Sequence, residues 1–248
     1  FEQPYDHLLL ATGAEPTLPS VEGVDLDCVF TLNSLDDADA IREAVEGDGV
    51  TEDVVGASDG EVVGFLRERD PATVAVVGGG YIGLEMADVL RSRGTHVHLF
   101  QRSSHVLSAY DEGIAEIVQD HLREEGVELH LDAGVERIEG DGSGDAHAIV
   151  AERGRTEGDM VILGTGVRPR TTLAEDAGIE IGETGAIATD GYHRTSAPDV
   201  YAAGDCAEVR NVVTDEVDYV PLALTANRHG RAVGQTVAGK PTEGGPVA

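Results

Sequence analysis

Apolar and polar positions change their period along this chain, and the clearest change lies at residues 74–94. Val74 to Val77 form an unbroken apolar run, the signature of a strand buried on both faces. Gly78-Gly79-Gly80-Tyr81-Ile82-Gly83 follows, and then Leu84, Met86, Ala87, Val89 and Leu90 recur at helical spacing. Gly94 stands where a C′ glycine closes a helix. Strand, tight turn and helix form the context in which G-x-G-x-x-G is informative. Gly78 permits the turn, Gly80 lets the backbone approach a pyrophosphate, and Gly83 lets helix and strand pack closely. The helix N-terminus adds unpaired N–H groups and a partial positive charge. An ordinary strand-to-helix turn in an α/β domain is the competing reading.

The remaining pattern extends this plan. Ser34 is placed to cap a helix with Asp36 and Asp37 in its first turn, running through Val45 and ending near Gly47. Residues 47–60 are rich in glycine and acid and read as a surface loop, and the short segment 61–69 leads on to Pro71. Residues 95–100 predict a second strand. Asp111 caps a helix with Ile114, Ile117, Val118, His121 and Leu122 on one face, closed by Gly126. Val127, Leu129 and Leu131 alternate as a strand, 134–138 and 146–153 predict an antiparallel meander, and 159–163 is another apolar strand. Residues 6–13, DHLLLATG, repeat the spacing of 159–166, DMVILGTG, and in each copy a proline follows three residues later, Pro16 and Pro169. Two strands ending in Thr-Gly point to two related nucleotide-binding domains. Pro221 suits the first position of a helix reaching Val237, whose N-terminus could face an anionic ring.

Composition narrows the setting. The 248 residues suffice for one large domain or two smaller ones. Asp and Glu number 47 against 17 Lys and Arg, a net charge of −30, and Lys240 is the sole lysine. The acidic excess is spread through periodic segments rather than gathered in a tail. Such acid-rich, lysine-poor chains resemble proteins of extreme halophiles, whose self-repulsion is relieved when salt shortens the Debye length to about 3 Å at 1 M. This surface would repel nucleic-acid phosphates and anionic membranes, and no apolar run could span a bilayer. No signal peptide is visible, and Cys28 and Cys206 form no CxxC pair, so a soluble cytoplasmic protein is expected.

The motifs ATGAEP, GGGYIGLE, GTGVRP and TSAPDVYAAGDCAE, in this order, resemble the FAD-dependent pyridine nucleotide–disulfide oxidoreductases across nearly the whole chain. The run YVPLALTANRHGR is similar to the coenzyme A–disulfide reductase and NADH oxidase branch. The resemblance implies an α/β fold with two Rossmann-like dinucleotide-binding domains, each a parallel sheet with an antiparallel meander. It implies an FAD segment at 1–46, an acidic linker or insertion at 47–69, an NAD(P)H-binding domain at 70–168 and a returning FAD segment at 169–248. Gly78, Gly80, Tyr81, Ile82 and Gly83 would then bind NADPH or NADH, with Gly166 in the matching GTG motif. Thr12, Gly13, Gly204 and Asp205 would hold FAD, the aspartate on the ribityl chain. Leu222 and Ala223 would bring backbone N–H groups to the flavin's pyrimidine edge. Tyr81 falls where the family has an aromatic gate over the nicotinamide. Glu85 falls where the family's glutamate pairs with a lysine, yet Lys240 is too distant in sequence to be assigned as that partner. Gln101 stands where NADH-using relatives carry a glutamate; its neutrality removes repulsion of a 2′-phosphate, and Arg102 is placed to pair with one, which favours NADPH.

The departures matter as well. The family's first FAD glycine motif and its redox-active cysteine lie upstream of the matched region, so the FAD domain is expected to be N-terminally incomplete. No catalytic residue is assigned. The family's C-terminal dimerisation domain would follow near Ala248, and a homodimer is expected of the full-length parent. Cys28 and Cys206 read as structural. Of the nine histidines, His96 and His98 share one strand face, but two ligands do not close a zinc site, so no metal is expected. The leading expectation is an oxidoreductase passing hydride from NAD(P)H to flavin and on to a disulfide, oxygen or peroxide. The alternatives are a nucleotide-binding fragment without turnover and a reductase of a small electron-transfer protein.

Overall fold

A computed structural model describes residues 2–46 and 71–245, so the predicted loop at 47–60 and segment 61–69 lie outside the described residues. In chain order the first strands are β1 (Leu8–Leu10), β2 (Ala14–Pro16) and β3 (Val29–Thr31), followed by helix α1 (Leu35–Glu46). Then come β4 (Thr73–Val77), α2 (Tyr81–Ser92), β5 (His96–Phe100), α3 (Glu112–Glu124) and β6 (Glu128–His130). Strands β7 (Val135–Gly140), β8 (Ala146–Ala151), β9 (Gly154–Glu157), β10 (Met160–Leu163) and β11 (Val167–Pro169) precede α4 (Thr172–Asp176). The last elements are β12 (Val200–Ala202), β13 (Val209–Arg210), β14 (Val217–Asp218) and α5 (Ala223–Val237). Two compact units result, residues 1–15 with 167–248, and residues 16–166.

The second unit is built on a parallel sheet of order β3-β10-β4-β5-β6. Alternate residues divide between its faces. Val74, Val76, Val97, Leu99, Met160 and Ile162 face α2 and α1, meeting Met86, Ala87, Leu90, Ile41 and Ala44. Ala75, Val77, Phe100, Val161 and Leu163 face the opposite layer and meet Ile138, Ala146, Ile149 and Ala151 of the antiparallel meander β7-β8-β9. Covering both faces explains why these strands read as continuous apolar runs. Burying each valine or leucine here contributes about 1.5–3 kcal/mol.

Helix ends follow their sequence signals, with two differences from expectation. Ser34 Oγ accepts the Asp37 N–H at 3.1 Å and Asp37 accepts the Ser34 N–H at 3.0 Å, a reciprocal cap on α1. Asp111 accepts the Gly113 N–H at 2.9 Å and starts α3. The buried residues of α3 are Ala115, Gln119 and Leu122, while Ile114 and Ile117 are exposed. Gln119 turns inward because its Oε1 accepts the Val106 N–H at 3.1 Å, satisfying a buried loop donor. Pro221 does not occupy the first helical position: Leu222 is the N-cap of α5, so the proline stands one residue outside.

The division of the chain also shifts from the expected boundaries. β3 bonds to β10 in the register Val29↔Val161, and Ile41 and Ala44 of α1 join the core of the second unit. Residues 16–46 thus fold with that unit, which ends at 166, rather than forming one segment with residues 1–15.

The first unit contains the parallel pair β1 and β12, in the register Leu8↔Val200 to Leu10↔Ala202. Leu10, Ala174, Ile179, Ile187, Val200, Ala202, Cys206 and Ala207 form its core, and Val233 of α5 packs on Tyr201 and Ala203. The internal repeat is visible as hydrogen bonds. Thr12 Oγ1 donates to Arg170 O at 2.6 Å while the Arg170 N–H donates to Gly13 O at 2.9 Å. In the other unit Thr165 Oγ1 donates to Thr17 O at 2.5 Å and the Thr17 N–H to Gly166 O at 2.9 Å. Among the described residues no helix is long and apolar enough to cross a membrane.

Candidate nucleotide-binding sites

In the second unit β4 is the point where the strand order reverses: β5 and β6 lie to one side, β10 to the other. The crevice at the carboxyl ends of strands around such a point is where open α/β sheets bind ligands. The glycine turn occupies it. Gly78 has φ +107°, and a Cβ there would stand 2.3 Å from the Gly164 carbonyl oxygen; one on Gly83 would stand 1.8 Å from that of Gly78. Gly80 differs, since nothing lies within 4 Å of an added Cβ: the space beside it is open. Gly80 is also the N-cap of α2 and supplies no side-chain acceptor, leaving the helix start available to an anion.

Gln101 holds this turn. Its Oε1 accepts the Gly79 N–H at 2.9 Å, and its Nε2 donates to His105 O at 3.3 Å and to Ser103 Oγ. Arg102 beside it is exposed. Tyr81 is half-exposed at the start of α2, its hydroxyl hydrogen-bonded to that of Tyr110 and the two rings edge-to-face with centroids 6.2 Å apart. The Tyr110 hydroxyl raises the Tyr81 pKa. Glu85 is exposed one turn further along α2, and Gly166, at φ +98°, follows β10 at the same edge of the sheet. This unit thus brings together Gly78, Gly80, Tyr81, Ile82, Gly83, Glu85, Gln101, Arg102 and Gly166.

The first unit gathers the others. β1 and β12 end in register, so Thr12-Gly13 and Gly204-Asp205 leave the same edge, with φ +70° at Gly13 and +79° at Gly204. A Cβ on Gly204 would stand 3.5 Å from Ala226 Cβ, which sets this turn against the first turns of α5. Leu222 and Ala223, at the start of that helix, are exposed, and no side chain caps it. Asp205 Oδ1 is buried with no hydrogen-bond partner among the described residues, and burial raises the carboxyl's pKa. The Tyr219 hydroxyl donates to Asp205 O at 3.0 Å, and burial pushes its pKa up to about 12.

Tyr110, Gln119 and Tyr219 were not legible as site residues, because each reaches its partner through the fold rather than a local motif. Cys206 Sγ donates to the carbonyls of Ala203 and Leu10 in the core, and Cys28 is buried as well. The histidine reading changes. Pairing of β5 with β6 sets Glu128 and His130 beside His96 and His98, so a cluster exists that no sequence spacing encodes.

Comparison with known proteins places the chain in a family. The model of a family described as pyridine nucleotide-disulphide oxidoreductase matches residues 1–230. The chain belongs to that family. It is 40% identical over 237 residues to a CoA-dependent NAD(P)H sulfur oxidoreductase of Pyrococcus abyssi, covering 95% of this chain and 48% of that one. It is 38% identical over 248 residues to an NADH oxidase of Methanocaldococcus jannaschii, covering 100% of this chain and 50% of the relative. The chain therefore spans about half the length of the relatives it matches. Among solved structures, an NAD-dependent persulfide reductase from A. fulgidus superposes with TM-score 0.85 at 33% identity, over 99% of this chain and 41% of that one. An engineered water-forming NADPH oxidase bound to NADPH, a variant of a Lactobacillus brevis NADH oxidase, gives TM-score 0.81 at 31% identity, over 97% of this chain and 48% of that one.

Proposed function

We propose that this chain is the nucleotide-binding core of an FAD-dependent NAD(P)H oxidoreductase that prefers NADPH and delivers electrons to a sulfur–sulfur bond or to dioxygen. The observation that carries the reading is the glycine turn at the reversal point of the parallel sheet, open beside Gly80 and followed by an uncapped helix start. The pyrophosphate of the dinucleotide would lie on the N–H groups of Tyr81, Ile82 and Gly83. Tyr81, held by Tyr110, would cover the nicotinamide pocket, and Glu85 lies on the same face of α2.

Preference for the 2′-phosphate rests on Gln101, Arg102 and Ser103. The engineered NADPH oxidase carries a glycine-to-alanine change and, eighteen positions later, Asp→Ala, Ala→Arg and Met→Ser in succession. Here Gln101-Arg102-Ser103 begins eighteen positions beyond Gly83, with no carboxylate and with arginine and serine already in place. Arg102 would pair with the phosphate.

For the flavin, the orphaned Asp205 carboxylate is the observation that fits. A ribityl hydroxyl would supply the donor that Oδ1 lacks, with Thr12, Gly13 and Gly204 shaping the adjoining turns and the Leu222 and Ala223 N–H groups facing the ring. FAD, when bound, accepts hydride from the nicotinamide and passes the electrons on. A cytoplasmic, salt-adapted homodimer without nucleic-acid or membrane partners belongs to the same proposal, supported by the acidic surface and the two buried thiols. The test is the visible spectrum of the purified chain after incubation with FAD in molar KCl, followed by addition of NADPH. A flavin spectrum that NADPH bleaches anaerobically supports the reading, with loss of the spectrum in Asp205→Ala. A chain that stays colourless overturns the flavin assignment.

A further inference from the structure

On β5 the side chains of His96, His98 and Phe100 share one face of the sheet, and the parallel register His98↔Glu128 and Phe100↔His130 puts two residues of β6 on that same face. Towards the centre of the sheet this face is closed by the meander, where Phe100 packs with Ala133 and Ile138. At the edge it carries imidazoles and a carboxylate instead of apolar side chains. His96 Nε2 lies 2.9 Å from Glu128 Oε1, His98 Nδ1 lies 3.4 Å from Glu128 Oε2, and His98 Nδ1 lies 3.1 Å from His130 Nε2. The ligand atoms of His96, His98 and Glu128 all lie within 4.8 Å of one another.

We infer that His96, His98 and Glu128 form a binding site for a divalent transition-metal ion of the zinc, cobalt and nickel class, with solvent completing the coordination. Ligands at about 2.0–2.2 Å around a tetrahedral ion stand about 3.4 Å apart, close to the 2.9 and 3.4 Å that separate the Glu128 oxygens from His96 and His98. Two imidazoles with one carboxylate suit these ions and not magnesium or calcium, which take oxygen ligands. Ring contacts already orient the donors. His130 stacks on Phe100 with centroids 4.4 Å apart and planes 7° from parallel, and His98 meets His96 edge-on at 4.7 Å. The site uses none of the residues assigned to nucleotide binding, so it stands or falls independently of the proposed function.

The experiment is titration of the purified, metal-stripped chain with Co2+, read by visible absorption, and with Zn2+ in competition. Molar KCl screens diffuse attraction to the acidic surface. The expected result is one equivalent of Co2+ with the intense visible bands of a tetrahedral ion, displaced by Zn2+ and unaffected by excess Mg2+. Losing only a hydrogen-bond partner of a ligand weakens metal binding by about 10–100-fold, so removing a ligand itself, in His96→Gln or Glu128→Gln, should cost at least about tenfold. His147→Gln, altering an exposed histidine on β8, should match the wild type. Circular dichroism of each variant, alongside the titration, keeps loss of a ligand distinct from loss of fold. Absence of the tetrahedral spectrum, or equal affinity in folded Glu128→Gln and wild-type protein, would overturn the inference.

Discussion

Acidification should loosen the seat of α5 through one buried histidine. His229 is 1% and His193 5% exposed, and their rings lie 4.2 Å apart. None of their four ring nitrogens has a hydrogen-bond partner among the described residues. Burial, reinforced by His193, lowers the His229 pKa from 6.5 to about 4; burial also lowers that of His193, against the opposing pull of Asp190. Between pH 6.5 and about 4 the unfolded chain therefore binds more protons than the folded one at His229, and stability falls as pH falls. The linkage at this residue amounts to about 2 kcal/mol at pH 5 and about 3 kcal/mol at pH 4. Asp190, Glu208, Arg210, Asp215 and Glu243 line the cavity beside the pair. Comparing the wild type with His229→Gln, which keeps those groups, isolates the histidine. Denaturant unfolding in molar KCl from pH 7 to pH 5 should shift the stability difference by about 2 kcal/mol in the variant's favour. A constant offset across that range would refute the reasoning. The consequence reaches the proposed flavin site, because α5 begins at Leu222 and Ala223.

Three further outcomes follow from the site geometry and the surface charge. Arg102→Ala removes a charged hydrogen bond worth about 1.5–3 kcal/mol, so NADPH should bind about 10–150-fold more weakly while NADH changes little, as read by nucleotide fluorescence. Gly78→Ala sets a Cβ against the Gly164 oxygen at a φ that alanine resists, and should lower the Tm as well as abolish dinucleotide binding; Gly80→Ala, with open space around its Cβ, should keep the Tm and lose only the affinity. Thermal melts should lose cooperativity at low ionic strength and regain it in molar KCl, and a Tm indifferent to salt would contradict the self-repulsion argument.

Much of the second unit was legible because its signals are local. An apolar run, a glycine turn, a helical stripe and a C′ glycine fall within residues 74–94, and β4, Gly78, α2 and Gly94 stand where that pattern puts them. The repeated Thr-Gly endings were equally local, and their hydrogen bonds recur in each unit. What escaped was tertiary. The apolar stripe on α3 favoured Ile114 and Ile117, but a buried loop N–H at Val106 drew Gln119 inward instead. Pro221 has the fixed φ of a helix start, yet the chain turns one residue later. Residues 29–46 carried no mark of the sheet they would join, since an edge strand of three residues reveals its partner only by pairing. Likewise Tyr110 lies 29 residues from Tyr81, and Glu128 thirty from His98, distances bridged only by strand order.

The most direct test of the account is a side-by-side equilibrium titration of the purified chain with NADPH and with NADH in molar KCl, followed by nucleotide fluorescence. The account predicts saturable binding of both at a single site, with NADPH tighter by about tenfold or more, as one charged hydrogen bond to the 2′-phosphate requires. Binding of neither nucleotide to the folded chain, or tighter binding of NADH, would contradict it.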